Sequence, residues 1–453
     1  MNTHTIVEKQ KEFFSSGATI DVSYRINALK KLRSAVSEHS NLLQTALYED
    51  LHKSSHEAIM TELGLVLEEL RFHIKRLKKW SKPTKVAPSL GQMPASVRVY
   101  KEPYGVTLIM SPWNYPLLLT LSPLIGAISG GNTAVVKPSA YSPSTSSAVK
   151  KILSDIFPSE YIHVVEGGRK ENTELLKEHF DYIFFTGSTV VGKVVMEAAS
   201  VHLTPITLEL GGKSPVIVDK TADITLAAKR IIFGKIINCG QTCIAPDYVL
   251  VDKSVKDALI EKMKFFINEF LGEAPLSNVN YPKVINQKRF DRLNELISHT
   301  TVIHGGASQF PFIEPTLVSP KKGDLVMEEE IFGPILPIIS IDSIEEAVSM
   351  IRSKPRPLAL YLFTQDKRVM EEVTSSVQYG GGCINDTIIH LANLKAPFGG
   401  VGYSGMGMYH GKFSFDTFTH SKTVMKKGKL FDISARYHPY TPNKSALIKK
   451  VLR

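Results

Sequence analysis

Apolar residues recur at spacings of three and four through Val22–Asp50 and His56–Trp80 with charged residues between them, the pattern of helices that bury one stripe. The chain then changes character. Lys82–Pro94 is rich in proline and small residues, which predicts a linker or extended arm leading to a short hairpin-like pair around Val97–Tyr100. From Gly105 onward, short apolar runs alternate with helix-length segments: VTLIM from Val106, TAVVK from Thr133, YIHVV from Tyr161, DYIFF from Asp181 and PITLEL from Pro205. Continuous apolar runs separated by helices mark strands covered on both faces, so these five predict a doubly wound parallel sheet. A second alternation uses SPVIV from Ser214, YVLV from Tyr248, PTLVS from Pro315, ILPIIS from Ile335 and LALYLF from Leu358, with helices such as Asp223–Ile237 and Lys253–Phe270 between them. It predicts a second α/β unit. The tail after Phe418 reads as strand-like, then basic and irregular.

Composition narrows the class. At 453 residues the chain has room for two or three domains, and 43% hydrophobic with 22% charged residues excludes intrinsic disorder. The opening MNTHTIVEKQKEFF has no apolar stretch of signal-peptide length, no run approaches a membrane span, and three cysteines do not make a disulfide framework. These features predict a cytosolic protein. The net charge of +10 is concentrated rather than spread: Met425–Arg453 holds eight Lys or Arg residues against Asp432 alone, and Arg71–Lys85 forms a second cluster. Neither cluster is interleaved with aromatics, so both read as solvated faces or a contact with an anionic surface, and no nucleic-acid partner is expected.

Several segments carry candidate chemistry. NCGQTCIAPDY, Asn238–Tyr248, places Cys243 in a polar, glycine-bearing turn between a helix-like and a strand-like run, where a thiol can ionise and act as nucleophile; an inert buried cysteine is the alternative. FFTGSTVVGK sets Gly187 and Ser188 after the fourth strand and Gly192 at a helix start, an arrangement suited to an anion but lacking the complete dinucleotide fingerprint, and any tight turn wants glycine. LELGGKSP ends the fifth strand with Glu209, a general base if burial raises its pKa or an ordinary paired carboxylate if it does not. SPWNYP holds Trp113 and Asn114 between prolines, so the Asn114 amide serves an oxyanion or merely caps a turn. VVKPS puts Lys137 at a strand exit, within reach of ribose or phosphate. EEIFGP offers Glu330 and Phe332 for a second ribose and an aromatic wall. APFGGVGYSGMG is a glycine-rich loop with Phe398 exposed in its first turn.

The ordered set PWN, KPS, FTGS, ELGG, GQTC, E-x-FGP and PFGG, spread over Pro103–Phe418, resembles the aldehyde dehydrogenase superfamily. The Tyr after Asn114, NDT at Asn385 and YHGKFSFDTFTH at Tyr409–His420 look like its class 3 branch, which handles medium-chain, fatty and aromatic aldehydes. The resemblance implies an NAD(P)-dependent dehydrogenase with two doubly wound α/β domains and a β arm. A cofactor domain would comprise 1–81 and 103–210, a catalytic domain 211–407, and bridging segments 82–102 and 408–453, giving a homodimer. It assigns Cys243 as nucleophile, Asn114 with the Cys243 backbone N–H as oxyanion donors, and Glu209 as the base that releases the acid from a thioester. Trp113, Lys137, Gly187, Ser188, Gly192, Leu210, Glu330 and Phe332 would contact NAD or NADP. A thiol esterase without redox chemistry, or a binding protein retaining the fold, are the rivals.

Two positions depart from the family. Ala140 stands three residues after Lys137, where NAD-preferring relatives commonly carry Glu, so use of both cofactors is expected. Cys239, four residues before Cys243, is often a small non-thiol residue in relatives and reads as packing on the same helical face. A C-x3-C pair without nearby His is poor evidence for zinc. The tail HPYTPNKSALIKKVLR replaces the hydrophobic anchor of fatty-aldehyde members, leaving at most transient contact with an acidic membrane through Leu447, Ile448, Val451 and Leu452.

Overall fold

A computed structural model describes residues 2–429 and 432–452. The five early apolar runs form strands Val106–Met110, Thr133–Lys137, Ile162–Val164, Tyr182–Thr186 and Ile206–Glu209, all parallel. Val106–Met110 is central, with Thr133–Lys137 on one side and Tyr182–Thr186 on the other. The chain therefore winds outward one way and returns to wind the other, opening a crevice beyond the carboxyl ends of the two strands at the reversal. A sixth strand, Gly405–Met406, absent from the sequence reading, adds antiparallel to Ile206–Glu209.

The second sheet has seven strands in the order Thr301–His304, Thr316–Ser319, Ile335–Ile341, Tyr248–Asp252, Pro215–Val218, Ala359–Phe363 and Gly381–Ile384. Six run parallel; Thr301–His304 pairs antiparallel at the edge. The two edge strands escape a hydropathy reading because Thr301–His304 is largely exposed and Gly381–Ile384 is half glycine. A third sheet is antiparallel: Ala95–Pro103 lies between Thr84–Val86 and Thr419–Lys427. The hairpin around Val97–Tyr100 is thus one long strand, paired residue by residue with the tail, and the proline-rich arm contributes a strand of its own.

Helix Leu118–Gly130 is buried at every position, as its nearly uncharged sequence requires, and packs between the first sheet and the amino-terminal helices. Val22–Asp50 is two helices, Val22–Glu38 and Ser40–Leu51, broken at His39, whose own ring bonds back to the Ala35 carbonyl. Pro442–Val451 is helical, with Thr441 capping its first turn, so the tail is not irregular there. Its apolar strip survives in part: Leu447 and Leu452 are exposed, Ile448 and Val451 half-covered, and Arg453 lies outside the described residues. Among the described residues no helix is long and apolar enough to cross a membrane.

One side chain ties three of these layers together. Asn132 is fully buried; its Oδ1 accepts from the Tyr104 and Gly105 N–H groups, and its Nδ2 donates to the Ala127 and Phe418 carbonyls. Asn132→Ala strands these groups without partners in an interior that water does not reach. We expect a loss of about 2–4 kcal/mol in chemical denaturation, several buried hydrogen bonds being removed at once.

Candidate active site

The link Leu210–Ser214 carries the chain directly from strand Ile206–Glu209 of the first sheet into Pro215–Val218 of the second. The carboxyl ends of one sheet therefore face the amino ends of the other, and a cleft of about 610 Å³ lies along the seam. Trp113, Asn114, Gly187, Ser188, Glu209, Leu210, Cys243, Glu330 and Phe332 all line it. Lys137 does not. Its Nζ donates to the Pro138 and Gly167 carbonyls instead, leaving one N–H uncommitted, and Ala140 is exposed nearby.

At the mouth, Ser188 begins helix Thr189–Ser200 and its Oγ accepts a long bond from the Val191 N–H. A Cβ on Gly192 would lie 2.8 Å from a Leu210 methyl, so glycine there lets the helix close on the strand end. Trp113 meets Phe332 edge-on at 5.5 Å, forming an aromatic wall. Glu330 lies against Gly211, where any Cβ would strike its carboxylate at 2.1 Å. Burial, with Asp247 next, pushes Glu330 up to about 8, while the Gly212 N–H and Lys213 oppose the shift. Its Oε1 has no partner.

Deeper in, the helix preceding Cys243 ends at Ile236, and Asn238, Cys239 and Gly240 follow with positive φ of 51°, 53° and 68°. Cys239 therefore shares no helical face with Cys243. It is fully buried, and its Sγ points to the Tyr281 hydroxyl at 3.5 Å. Burial pushes the Cys239 thiol up to about 12. Cys243 is half-buried. Burial raises its pKa first, followed by the fields of Glu330 and Glu209, and the N–H groups of Cys243 and Ile244 oppose this. In the free enzyme the thiol is thus held protonated, contrary to the polar, ionising turn expected from its neighbours in sequence.

Glu209 is 3% exposed, and neither carboxylate oxygen has a hydrogen-bond partner. Burial alone lifts it well above the usual carboxylate range. The Asn114 amide is fixed by donation to the Gln241 carbonyl at 3.0 Å, with its second N–H uncommitted. Tyr361 donates to the Ile244 carbonyl and Tyr115 bonds to Thr242, so both neighbours of Cys243 in the chain are fixed by buried tyrosines. Phe398 is 9% exposed and packs on Tyr409, not on solvent, because the loop folds back through a Phe398–Tyr409 bridge.

Sequence reasoning missed the basic rim. Arg292 donates to the Glu330 and Ile331 carbonyls, and Lys213 pairs with Asp247 and binds the Val326 and Glu329 carbonyls. Arg289 joins them in the lining. Arg289 and Arg292 belong to no short motif, Lys213 sits inside LELGGKSP without a role read for it there, and they become neighbours only through the tertiary fold.

The cleft fits a dinucleotide. The start of helix Thr189–Ser200 offers backbone N–H groups suited to an anion, the Trp113–Phe332 wall suits a flat ring, and Glu330 keeps an unpartnered oxygen for hydroxyls. Comparison with known proteins agrees. The model of the aldehyde dehydrogenase family matches residues 1–424. A 4,4'-diaponeurosporen-aldehyde dehydrogenase of Staphylococcus aureus is 46% identical over 95% of each chain, and a dimeric NADP-preferring aldehyde dehydrogenase of Canis lupus familiaris is 41% identical over 96% of this chain and 97% of its own. The solved substrate-bound S. aureus AldH superposes with a TM-score of 0.98 at 45% identity, covering all of both chains. The thiol-esterase alternative finds no support in these relatives. This chain belongs to the aldehyde dehydrogenase family and is an oxidoreductase that oxidises aldehydes with NAD or NADP.

Proposed function

We propose that the chain oxidises medium- or long-chain aliphatic or aromatic aldehydes to carboxylic acids through a thioester on Cys243. The observation that carries this reading is the meeting, in one cleft, of a thiol and a fixed amide from two separate loops with an unpartnered buried carboxylate from a strand end. Cys243, its proton lost to solvent, attacks the carbonyl carbon as the thiolate, the oxyanion takes hydrogen bonds from the Asn114 amide and the Cys243 N–H, and its collapse with loss of hydride from that carbon leaves the thioester. NAD or NADP, when bound, supplies the two-electron acceptor, with Ser188 at the pyrophosphate, Lys137 at the adenosine ribose and Glu330 with Phe332 at the nicotinamide end. Glu209 then accepts a proton from the water that hydrolyses the thioester. Trp113, Leu119 and Phe332 in the lining that holds Cys243 support a hydrophobic substrate, and the 4,4'-diaponeurosporen-aldehyde named for the S. aureus relative accords with one.

The same reading divides the chain into a cofactor unit of 1–81 and 103–210 and a catalytic unit of 211–407, with 82–102 and 408–453 bridging subunits. A homodimer is supported by the exposed apolar residues Val190, Val194, Val201 and Leu203 on and after helix Thr189–Ser200 and by the open edge of Thr419–Lys427. A reducing, cytosolic setting accords with three free cysteines. The exposed Leu447 and Leu452 beside Lys449 and Lys450 suit weak contact with an acidic membrane surface.

Cys243→Ala should abolish turnover on a panel of aliphatic and aromatic aldehydes while nucleotide binding persists; normal turnover would sink the reading. Glu209→Gln should give a burst of NAD(P)H followed by deacylation slowed roughly 10²–10⁴-fold, because an amide cannot take the proton. Both Cys243 and Glu209 have raised pKa values and act as anions, so kcat and kcat/KM should climb from pH 7 toward pH 9. In Glu209→Gln the pH dependence of kcat should flatten while that of the burst remains.

Cofactor choice offers a separate test. Ala140 presents no carboxylate to repel a 2′-phosphate, and Lys137 retains a free N–H, so efficiencies with NAD and NADP should fall within about a hundredfold. Ala140→Glu should shift preference toward NAD, chiefly by raising KM for NADP. Strict NAD dependence of the unmodified enzyme would overturn this.

A further inference from the structure

Three charged residues far from the cleft mouth are buried in the amino-terminal helical region: Lys53, Glu57 and Glu62. Glu62 follows Glu57 by five positions, which an ordinary α-helix would set about 140° apart around its axis. The segment Ile59–Leu63 is instead a π-turn, and the extra residue it accommodates swings Glu62 inward with Glu57. Such an insertion costs local stability and is commonly retained where it places a functional group.

What the three residues hold is specific. Lys53 Nζ pairs with Glu62 at 2.6 Å, sits 3.9 Å from the centre of the Tyr115 ring, and donates to the Asn114 backbone carbonyl at 3.1 Å. The other oxygen of Glu62 accepts from the Leu117 and Leu118 N–H groups, which follow Asn114. Glu57 accepts from the Asn238 N–H at 2.8 Å, at the first residue of the left-handed turn that leads to Cys243. The Asn238 side chain then closes the circuit by donating to the carbonyls of Asn114 and Gln241. Asn238 tolerates left-handed backbone but Cys239 does not favour it, so hydrogen bonds from outside help hold the turn.

We propose that Lys53, Glu57 and Glu62 are positioning residues that lock the Asn114 loop and the Cys243 loop in register, so that the amide and the thiol converge on one carbonyl. This rests on the roles assigned above to Asn114 and Cys243. Lys53 and Glu62 anchor the loop carrying the oxyanion donor, and Glu57 anchors the turn carrying the nucleophile. None of the three lines the cleft. Their effect should therefore fall on acylation and leave nucleotide affinity alone. Burial lifts the Glu57 carboxyl to about 7, against the opposing pull of Lys53 and the Asn238 N–H, and Gln reproduces its neutral form with an acceptor at the same reach.

The decisive contrast is Glu57→Asp against Glu57→Gln in the full-length enzyme. The rate of NAD(P)H formation in a single turnover with enzyme in excess over aldehyde (the burst phase), the steady-state kcat and the nucleotide Kd would be measured for each. Asp is one methylene too short to reach Asn238, and its burst should slow by about tenfold or more, on the scale set by displacement of a catalytic group. Gln should stay within about threefold of the parent. Lys53→Met with Glu62→Gln removes both charges together without leaving either one buried alone; it should slow the burst similarly, with Kd unchanged, and it decides the matter if Glu57→Asp does not fold. Equal burst rates in Asp and Gln, or slowing matched by an equal loss of nucleotide affinity, would overturn the proposal. Hydroxylamine trapping that finds no acyl group on Cys243 of the parent enzyme during turnover would instead reject the thioester reading on which it rests.

Discussion

The five residues from Leu210 to Ser214 are the constraint on which the molecule turns. Because they are too few to travel anywhere, the carboxyl ends of one parallel sheet must abut the amino ends of the next. Loops that leave the first sheet, carrying Trp113, Asn114, Gly187 and Ser188, then meet the loop that enters the second, carrying Cys243. A cleft at this seam is a consequence of chain connectivity before it is a consequence of any side chain.

The seam is also where polar groups are left without partners. Glu209 is buried and Glu330 half-buried, each with an unbonded oxygen, and both are lifted above their ordinary range, while the Cys243 thiol is held protonated by burial and by their fields. Such an arrangement is costly in a folded protein and is characteristic of sites that must pass protons. Its cost is met elsewhere. Lys213 and Asp247 pair beneath Glu330, and the Asp247 carboxylate accepts from the Ile331 N–H, so the loop bearing Glu330 and Phe332 is fixed while the reactive carboxylates stay free.

At the opposite end, the tail returns to the arm. Thr419–Lys427 pairs along the whole of Ala95–Pro103, and the Asn132 side chain joins the start of that strand to the end of the buried helix Leu118–Gly130. Residues more than three hundred positions apart thus form one sheet outside both α/β units, whose outer strands leave edges open for pairing.

Parallel strands covered on both faces must be continuously apolar, so the five strands of the first sheet and five of the second were legible as runs in the sequence, within a residue or two at each end. So was the site, because the turns PWN, FTGS, ELGG and GQTC sit where strands or helices end and combine in one order. Other features depend on partners distant in sequence and leave no local signature. Hydropathy does not reveal the exposed edge strand Thr301–His304, the glycine-rich Gly381–Ile384 or the added Gly405–Met406, and Phe398 is buried only because Tyr409 folds onto it. Cys239 left its supposed helix because Asn238 is drawn into a left-handed turn by Glu57, some hundred and eighty residues earlier. Glu57 and Glu62 look in sequence like the polar face of an ordinary helix, and Lys53 like a lysine of the loop before it. A π-turn and a seam closed by tertiary packing turned them inward, since burial, and with it the pKa of every group at the site, is a property of what surrounds a residue rather than of the residue itself.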